Sequence, residues 1–206
     1  MLLSGGIDSA TALYLTKKTR PVRALSFEYH GIAGSELRAA RAIAALAGVV
    51  EHRIVRLPDV REAGDIPGFE LAGRPASYIP LRNSIFYSLA ASYAEEIGAD
   101  AIVGGHNKDD EAVFADVSTQ FFAPLQTALR AASPTLRRNR LRIVRPLRGL
   151  TKPEVIKLGV SLGVPLERTW SCHGDSKEHC WRCDGCLSRK RAFKEAGVID
   201  PLGGNL

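Results

Sequence analysis

The sequence predicts an α/β fold in which a parallel sheet is covered by helices on both faces. Apolar periodicity alternates repeatedly between strand-like runs and stretches of helical spacing. Val22 to Phe27 and Ala101 to Val103 are short apolar runs of the kind found in a sheet buried on both sides. Gly48 and Gly98 fall where helix stops are expected.

In chain order, strands are expected at Leu2 to Leu3, Val22 to Phe27, His52 to Val55, Ala101 to Val103 and Leu141 to Val144. Between them the spacing predicts helices over Asp8 to Thr19, Ser35 to Ala47, Asn83 to Ile97 and Gln120 to Ala131. The first strand is short because Met1 leaves only about three residues before a glycine pair, against the usual 5–6. Leu57 to Ser77 carries Pro58, Pro67 and Pro75 with Gly64, Gly68 and Gly73, so it reads as a long loop, the kind used as a lid or binding loop. After Pro146 a helical stretch from Pro153 to Leu162 precedes a cysteine cluster and a basic helix from about Leu187 to Ala196. The expected division is a nucleotide-binding domain over 1–150 and a helical, metal-binding segment over 151–206.

Composition narrows the classes. With 206 residues, 45% of them hydrophobic and 24% charged, the chain buries a substantial core, and disorder is excluded. No apolar run approaches the roughly 20 residues of a membrane helix, so no membrane partner is expected and a cytoplasmic location is. A net charge of +6 favours phosphate-bearing ligands without distinguishing a nucleotide from a nucleic acid. Arg137, Arg138, Arg140 and Arg142 read as a solvated face.

Ser4-Gly5-Gly6-Ile7-Asp8-Ser9 follows the strand stub and opens a helix. Its glycines permit close backbone approach, and its free amides face an anion at the positive end of the helix dipole. Ser4 and Ser9 add hydroxyl donors, and Asp8 either caps the helix or helps hold a magnesium ion. An ordinary capped turn is the bland alternative; the whole hexapeptide after a strand favours pyrophosphate. Cys172, Cys180, Cys183 and Cys186 are spaced C-x7-C-x2-C-x2-C among polar neighbours, which suits one tetrahedral zinc closed by four thiolates and therefore structural. His173 and His179 then have no vacancy to fill.

The Ser-Gly-Gly-x-Asp-Ser loop resembles that of the PP-loop ATP pyrophosphatases, which cleave ATP between the α and β phosphates to adenylate a substrate. It lacks the Gly-Lys-Ser/Thr of a Walker motif. Combined with the C-terminal cysteines, it resembles the 7-cyano-7-deazaguanine synthase family of queuosine and archaeosine precursor synthesis. Tyr78-Ile79-Pro80-Leu81-Arg82-Asn83, Gly104-Gly105-His106, Phe114-Ala115-Asp116, Lys152 and Trp170-Ser171-Cys172 extend the resemblance over nearly the whole chain. His30 to Ser35 depart from the family pattern, which is met at Tyr29 and Glu36. Lys108 to Glu111 and Val117-Ser118 depart as well.

The resemblance implies a Rossmann-like sheet of the adenine nucleotide α-hydrolase type, with ATP as cosubstrate, Mg2+ beside it and ammonia as the nitrogen donor. ATP is expected at Ser4, Gly5, Gly6, Asp8, Ser9, Phe27 and Gly105, with Asp8, Ser9, Arg82 and Lys152 serving the chemistry. A small 7-deazapurine carboxylate is expected at Tyr78, Arg82, Asn83 and Asp116, Asp116 accepting from the ring edge. The resemblance further suggests a homodimer and requires no nucleic acid. Two rivals remain open at this point. One is a tRNA-modifying or thiolating PP-loop enzyme, which commonly uses reactive cysteines. The other is a zinc-containing nucleic-acid module with Arg182, Arg189, Lys190 and Arg191 on phosphates, although no aromatic platform is evident around those charges.

Overall fold

A computed structural model describes residues 1–70 and 78–203. The chain runs α1 (Ile7–Lys17), β1 (Arg23–Tyr29), α2 (Gly34–Ala47), β2 (Glu51–Leu57), α3 (Arg82–Glu96), β3 (Ala101–Val103), α4 (Lys108–Val113), α5 (Thr119–Ala132), α6 (Pro134–Arg138), β4 (Arg142–Val144), α7 (Lys152–Ser161) and α8 (Asp184–Ala196). The α/β alternation and the parallel pairing agree with the sequence expectation.

β1 and β2 pair in parallel from Arg23 opposite Glu51 to Tyr29 opposite Leu57, and β3 pairs with β4 from Ala101 opposite Arg142 to Val103 opposite Val144. The expected first strand is only an isolated parallel bridge, Leu2 to Leu25. It nevertheless joins the two pairs. Leu3 N–H donates to Leu25 C=O at 2.9 Å, Leu25 N–H to Met1 C=O at 2.8 Å, and Leu2 N–H to Val103 C=O at 2.9 Å. The resulting order, β2, β1, residues 1–3, β3, β4, places the exit of the stub in the middle of the sheet's carboxyl edge, where open parallel sheets bind ligands.

Each face of the sheet carries its own core. On one, Leu3, Ile7, Leu13, Ile43, Val155, Ile156 and Phe193 pack together, so α7 and α8 share a core with α1 and α2. Val155 and Ile156 are fully buried, each worth about 1.5–3 kcal/mol on area. On the other, Leu25, Phe27, Tyr87, Ile102, Phe122 and Leu141 join α3 and α5 to the sheet.

Two short helices escape the periodicity. In α4, Asn107 accepts from Asp109 N–H at 2.8 Å and Asp110 N–H at 3.0 Å, and its own N–H donates to Asp110, so a capping box and not an apolar stripe starts the helix. In α6, the Ser133 hydroxyl accepts from Leu136 N–H at 3.1 Å and Pro134 occupies the first turn. The segment after β2 has a single 3-10 turn at Ala63–Asp65 within its described part; residues 71–77 of the expected loop lie outside the described residues.

Candidate active site and metal centre

Leu3 leaves the middle of the sheet and the chain turns through Ser4, Gly5 and Gly6 into α1. Gly5 has φ of +90°, and a Cβ there would lie 2.6 Å from Glu36 C=O and 2.7 Å from Ala40 N, so α2 packs against bare backbone. Gly105, beyond β3, is equally confined: a Cβ would meet Ser9 N and Cα at 2.8 Å. Ser9 Oγ donates to Gly6 C=O at 3.0 Å and lies 3.1 Å from Ser4 Oγ, which accepts from Gly6 N–H at 3.3 Å. The hydroxyls thus hold the turn open in the absence of any side-chain cap on α1.

Asp8 is not a helix cap. It is the second residue of α1, whose N-cap is Gly6. One carboxylate oxygen meets Lys152 Nζ at 2.6 Å, and the other accepts from Asn107 Nδ2 at 3.1 Å. The N–H of Lys152 donates to Asp109 at 2.8 Å, tying the start of α7 to α4. Burial pulls the Lys152 ammonium down, but Asp8, Asp110 and Asp109 outweigh it and the net shift is upward, so the group stays charged. Burial and the Asp8 charge push the Asp110 carboxyl above the usual range. Two acids beside one lysine at a helix start suit a bound polyphosphate and the cation that accompanies it.

The loop opens into a cavity of about 280 Å³ between β1, α2 and α3. Ser4, Gly6, Asp8, Ser9, Phe27, Arg82, Asn83 and Gly105, all expected at the site, line it. Gly5 lies beneath the loop and Lys152 reaches it through Asp8. Tyr78 and Asp116 are not on its wall: Tyr78 C=O accepts from Ala63 N–H at 2.6 Å, and Asp116 accepts from Asn83 Nδ2 at 3.0 Å. Phe27 and Phe86 stack at 4.1 Å, giving the cavity a flat aromatic side. His106, also on the wall, is held down to about 4 by burial and then by the Arg82 and Arg145 charges, so its ring is neutral at pH 7.

Sequence reading assigned no role to Glu36, Tyr29, Ser26, His106 or Asp110, yet all five line the cavity. The available signal was positional: Tyr29 ends a strand at the sheet's carboxyl edge, Ser26 lies within the same strand, and Glu36 falls in the first turn of the following helix.

The four cysteine sulfurs lie within 4.8 Å of one another, with Cys180 to Cys186 and Cys183 to Cys172 both at 3.9 Å. A tetrahedral zinc with bonds of about 2.3 Å separates its sulfurs by about 3.8 Å, so the cluster fits a closed four-thiolate site. Main-chain N–H groups of Arg182 and Cys183 pull the Cys180 thiol down to about 6, while burial pushes Cys186 up to about 12. His179 is no ligand; its Nε2 accepts from Ser171 N–H at 3.0 Å.

The cysteine loop braces the site at two points. Trp170 N–H donates to Gly5 C=O at 2.9 Å, and Asp175 accepts from both the N–H and the hydroxyl of Ser35 at 2.9 Å at the start of α2. Two expectations are corrected here. Arg189 does not face phosphates: it is fully buried, donating to both Asp200 oxygens at 2.7 and 2.8 Å and to Thr169 and Leu166 C=O, because a guanidinium with all three nitrogens hydrogen-bonded and its charge paired is tolerated in a core. An aromatic cluster does exist, Trp170 tilted against His179 at 4.3 Å and His179 stacked on Trp181 at 5.1 Å, with Lys190 over Trp181; the loop assembles it from rings that only folding brings together.

Comparison with known proteins decides among the readings of this geometry. A family model described as "Queuosine biosynthesis protein QueC" matches residues 1–197. The chain belongs to the QueC family. Among QueC-like relatives, the 7-cyano-7-deazaguanine synthase of Thermosynechococcus vestitus is 40% identical over 98% of this chain and 93% of its own. That of Thermoplasma acidophilum is 37% identical over 98% and 90%. In fold, the chain is similar to an NMN synthetase from Francisella tularensis, with TM-score 0.54 at 22% identity over 96% of this chain and 76% of that one. It is also similar to the U34-tRNA thiolase NcsA from Methanococcus maripaludis, with TM-score 0.51 at 20% identity over 95% and 64%. These likenesses show an α/β fold shared with both structures. Among the described residues, no helix is long and apolar enough to cross a membrane.

Proposed function

We propose that this QueC-family protein is a 7-cyano-7-deazaguanine synthase, converting 7-carboxy-7-deazaguanine and ammonia to the nitrile at the expense of ATP. The observation that carries the reading is the 36–40% identity to curated synthases over 98% of the chain. In each of two rounds an oxygen of the substrate attacks the α-phosphorus of ATP and pyrophosphate departs. In the first, ammonia displaces AMP from the acyl adenylate to leave an amide; in the second, the adenylated amide loses AMP and its remaining N–H protons to leave the nitrile.

Such steps ask the protein for alignment and charge neutralisation more than for covalent help. The amides of the Ser4 to Ser9 turn offer donors to the departing pyrophosphate, and the Ser4 and Ser9 hydroxyls brace that turn. Gly105 keeps the opposing backbone close, Phe27 supplies a flat wall for the adenine, and Lys152 adds a cation held in place by Asp8. When bound, Mg2+ supplies further neutralisation of phosphate charge, and Asp8 and Asp110 are the carboxylates that would hold it. Arg82 and Asn83 face the substrate from the start of α3. Zinc at Cys172, Cys180, Cys183 and Cys186 is structural, and commitment of all four cysteines to one cluster argues against a thiolating enzyme. The unpaired thiols suit a reducing cytoplasm, and the family resemblance favours a homodimer.

The test is mass analysis of products after incubation with ATP, Mg2+, ammonium and 7-carboxy-7-deazaguanine. Nitrile with AMP and pyrophosphate supports the reading; AMP release that requires tRNA and ignores the deazapurine overturns it.

A further inference from the structure

The cavity wall holds a carboxylate to which the steps above give no work. Asp8 is engaged by Lys152 and Asn107, and Asp110 caps α4. Glu36, in the first turn of α2, is recessed in the cavity wall, and among the described residues its carboxylate has no hydrogen bond or ion pair. Burial pushes it up to about 7, with the Arg82 charge pulling back. A recessed group that only accepts is costly unless a ligand brings donors. Arg82 and Tyr29 flank it on the same wall, and both sense its charge. Beside them lies the ring of Phe86, 5.8 Å from that of Tyr29 and flat enough for a planar ring.

We infer that Glu36 reads the pyrimidine edge of the 7-deazapurine substrate, accepting from ring N1–H and the 2-amino group while Arg82 beside it donates to the adjacent 6-oxo group. This rests on the reading that the substrate is a 7-deazaguanine carboxylate. The edge presents acceptor, donor, donor; Arg82 followed by Glu36 presents donor, acceptor, acceptor. Adenine presents a donor and then an acceptor along the corresponding edge, so the pair also rejects the adenine of ATP. Asp116, the carboxylate first expected to take this part, is off the wall and already accepts from Asn83.

The test measures equilibrium binding to the whole protein of 7-carboxy-7-deazaguanine, of its analogue lacking the 2-amino group, and of ATP. Wild type should bind the parent about 10- to 100-fold more tightly than the analogue, the span expected for a lost hydrogen bond to a charged acceptor. Glu36→Gln should weaken parent binding by a similar factor, bind parent and analogue nearly alike, and leave ATP affinity unchanged. Wild type that binds parent and analogue equally overturns the inference without recourse to any variant. A Glu36→Gln protein that binds ATP normally and still discriminates overturns it as well. Should wild type bind and convert no 7-deazapurine at all, the functional reading fails first, and this inference with it.

Discussion

Replacing Asp200 by Asn should cost the fold about 3–5 kcal/mol, because it strips the countercharge from a guanidinium that has no route to water. Arg189 and Asp200 have side chains 0% exposed, joined by two hydrogen bonds at 2.7 and 2.8 Å. The asparagine keeps the shape but turns one acceptor into a donor facing another donor. The remaining partners, Thr169 Oγ1 at 2.8 Å and Leu166 C=O at 3.1 Å, carry no charge. Against a total stability of about 5–15 kcal/mol this is a large fraction. With a urea dependence of about 2 kcal/mol per molar, the unfolding midpoint should fall by about 1.5–2.5 M at unchanged slope. Arg189→Met combined with Asp200→Leu should recover much of that loss, since an apolar pair leaves no charge behind. A midpoint shift below about 0.5 M for Asp200→Asn would refute the reasoning, and would mean that water or another group reaches the guanidinium.

Asp8→Ala should leave the urea midpoint within about 0.5 M of wild type, about 1 kcal/mol, since Asp8 caps nothing, while AMP production falls at least about 100-fold as Lys152 loses its anchor; undiminished turnover in a folded variant removes Asp8 from the site. Cys183→Ser should lose bound zinc, read by metal analysis of the purified protein, and lower the thermal midpoint; full occupancy would show the ligand set to be wrong. The His106 ring, held down to about 4, stays neutral in the folded state while the unfolded chain takes up a proton from about pH 6.5 downward, so its share of stability is present above pH 6.5 and is lost as pH falls toward 4. His106→Gln should therefore lose less stability than wild type between pH 7 and pH 5, measured by urea midpoints; equal losses would dismiss the ring as the cause.

Much of this fold was legible in the sequence. Strands such as Ala101–Val103 and helices such as Asn83 to Ile97 were found within a residue or two, because burial on two faces and on one stripe leave different periods. The Ser4 to Ser9 turn and the convergence of the cysteines were legible because each motif is compact along the chain. What escaped depends on distance along the chain. α4 begins on a cap made by Asn107, with no apolar stripe to announce it. Glu36 acquires its setting from Tyr29 on β1 and Arg82 on α3, and Arg189 looked like a surface charge until Asp200 folded over it. No local pattern records such pairings. Asp116 shows the opposite case, since its place was argued from a matching tripeptide while the fold sets one of its carboxylate oxygens against Asn83.

The bond from Trp170 N–H to Gly5 C=O has a consequence for the order in which the protein becomes competent. The ribosome makes the Ser4 to Ser9 turn more than 150 residues before the strut that stands behind it. A nascent chain halted before Trp170 carries every residue of the Ser4 to Ser9 turn, yet lacks the amide behind Gly5 and the Asp175 carboxylate that closes the start of α2. Nucleotide affinity should therefore switch on late in synthesis, once the cysteine loop has closed.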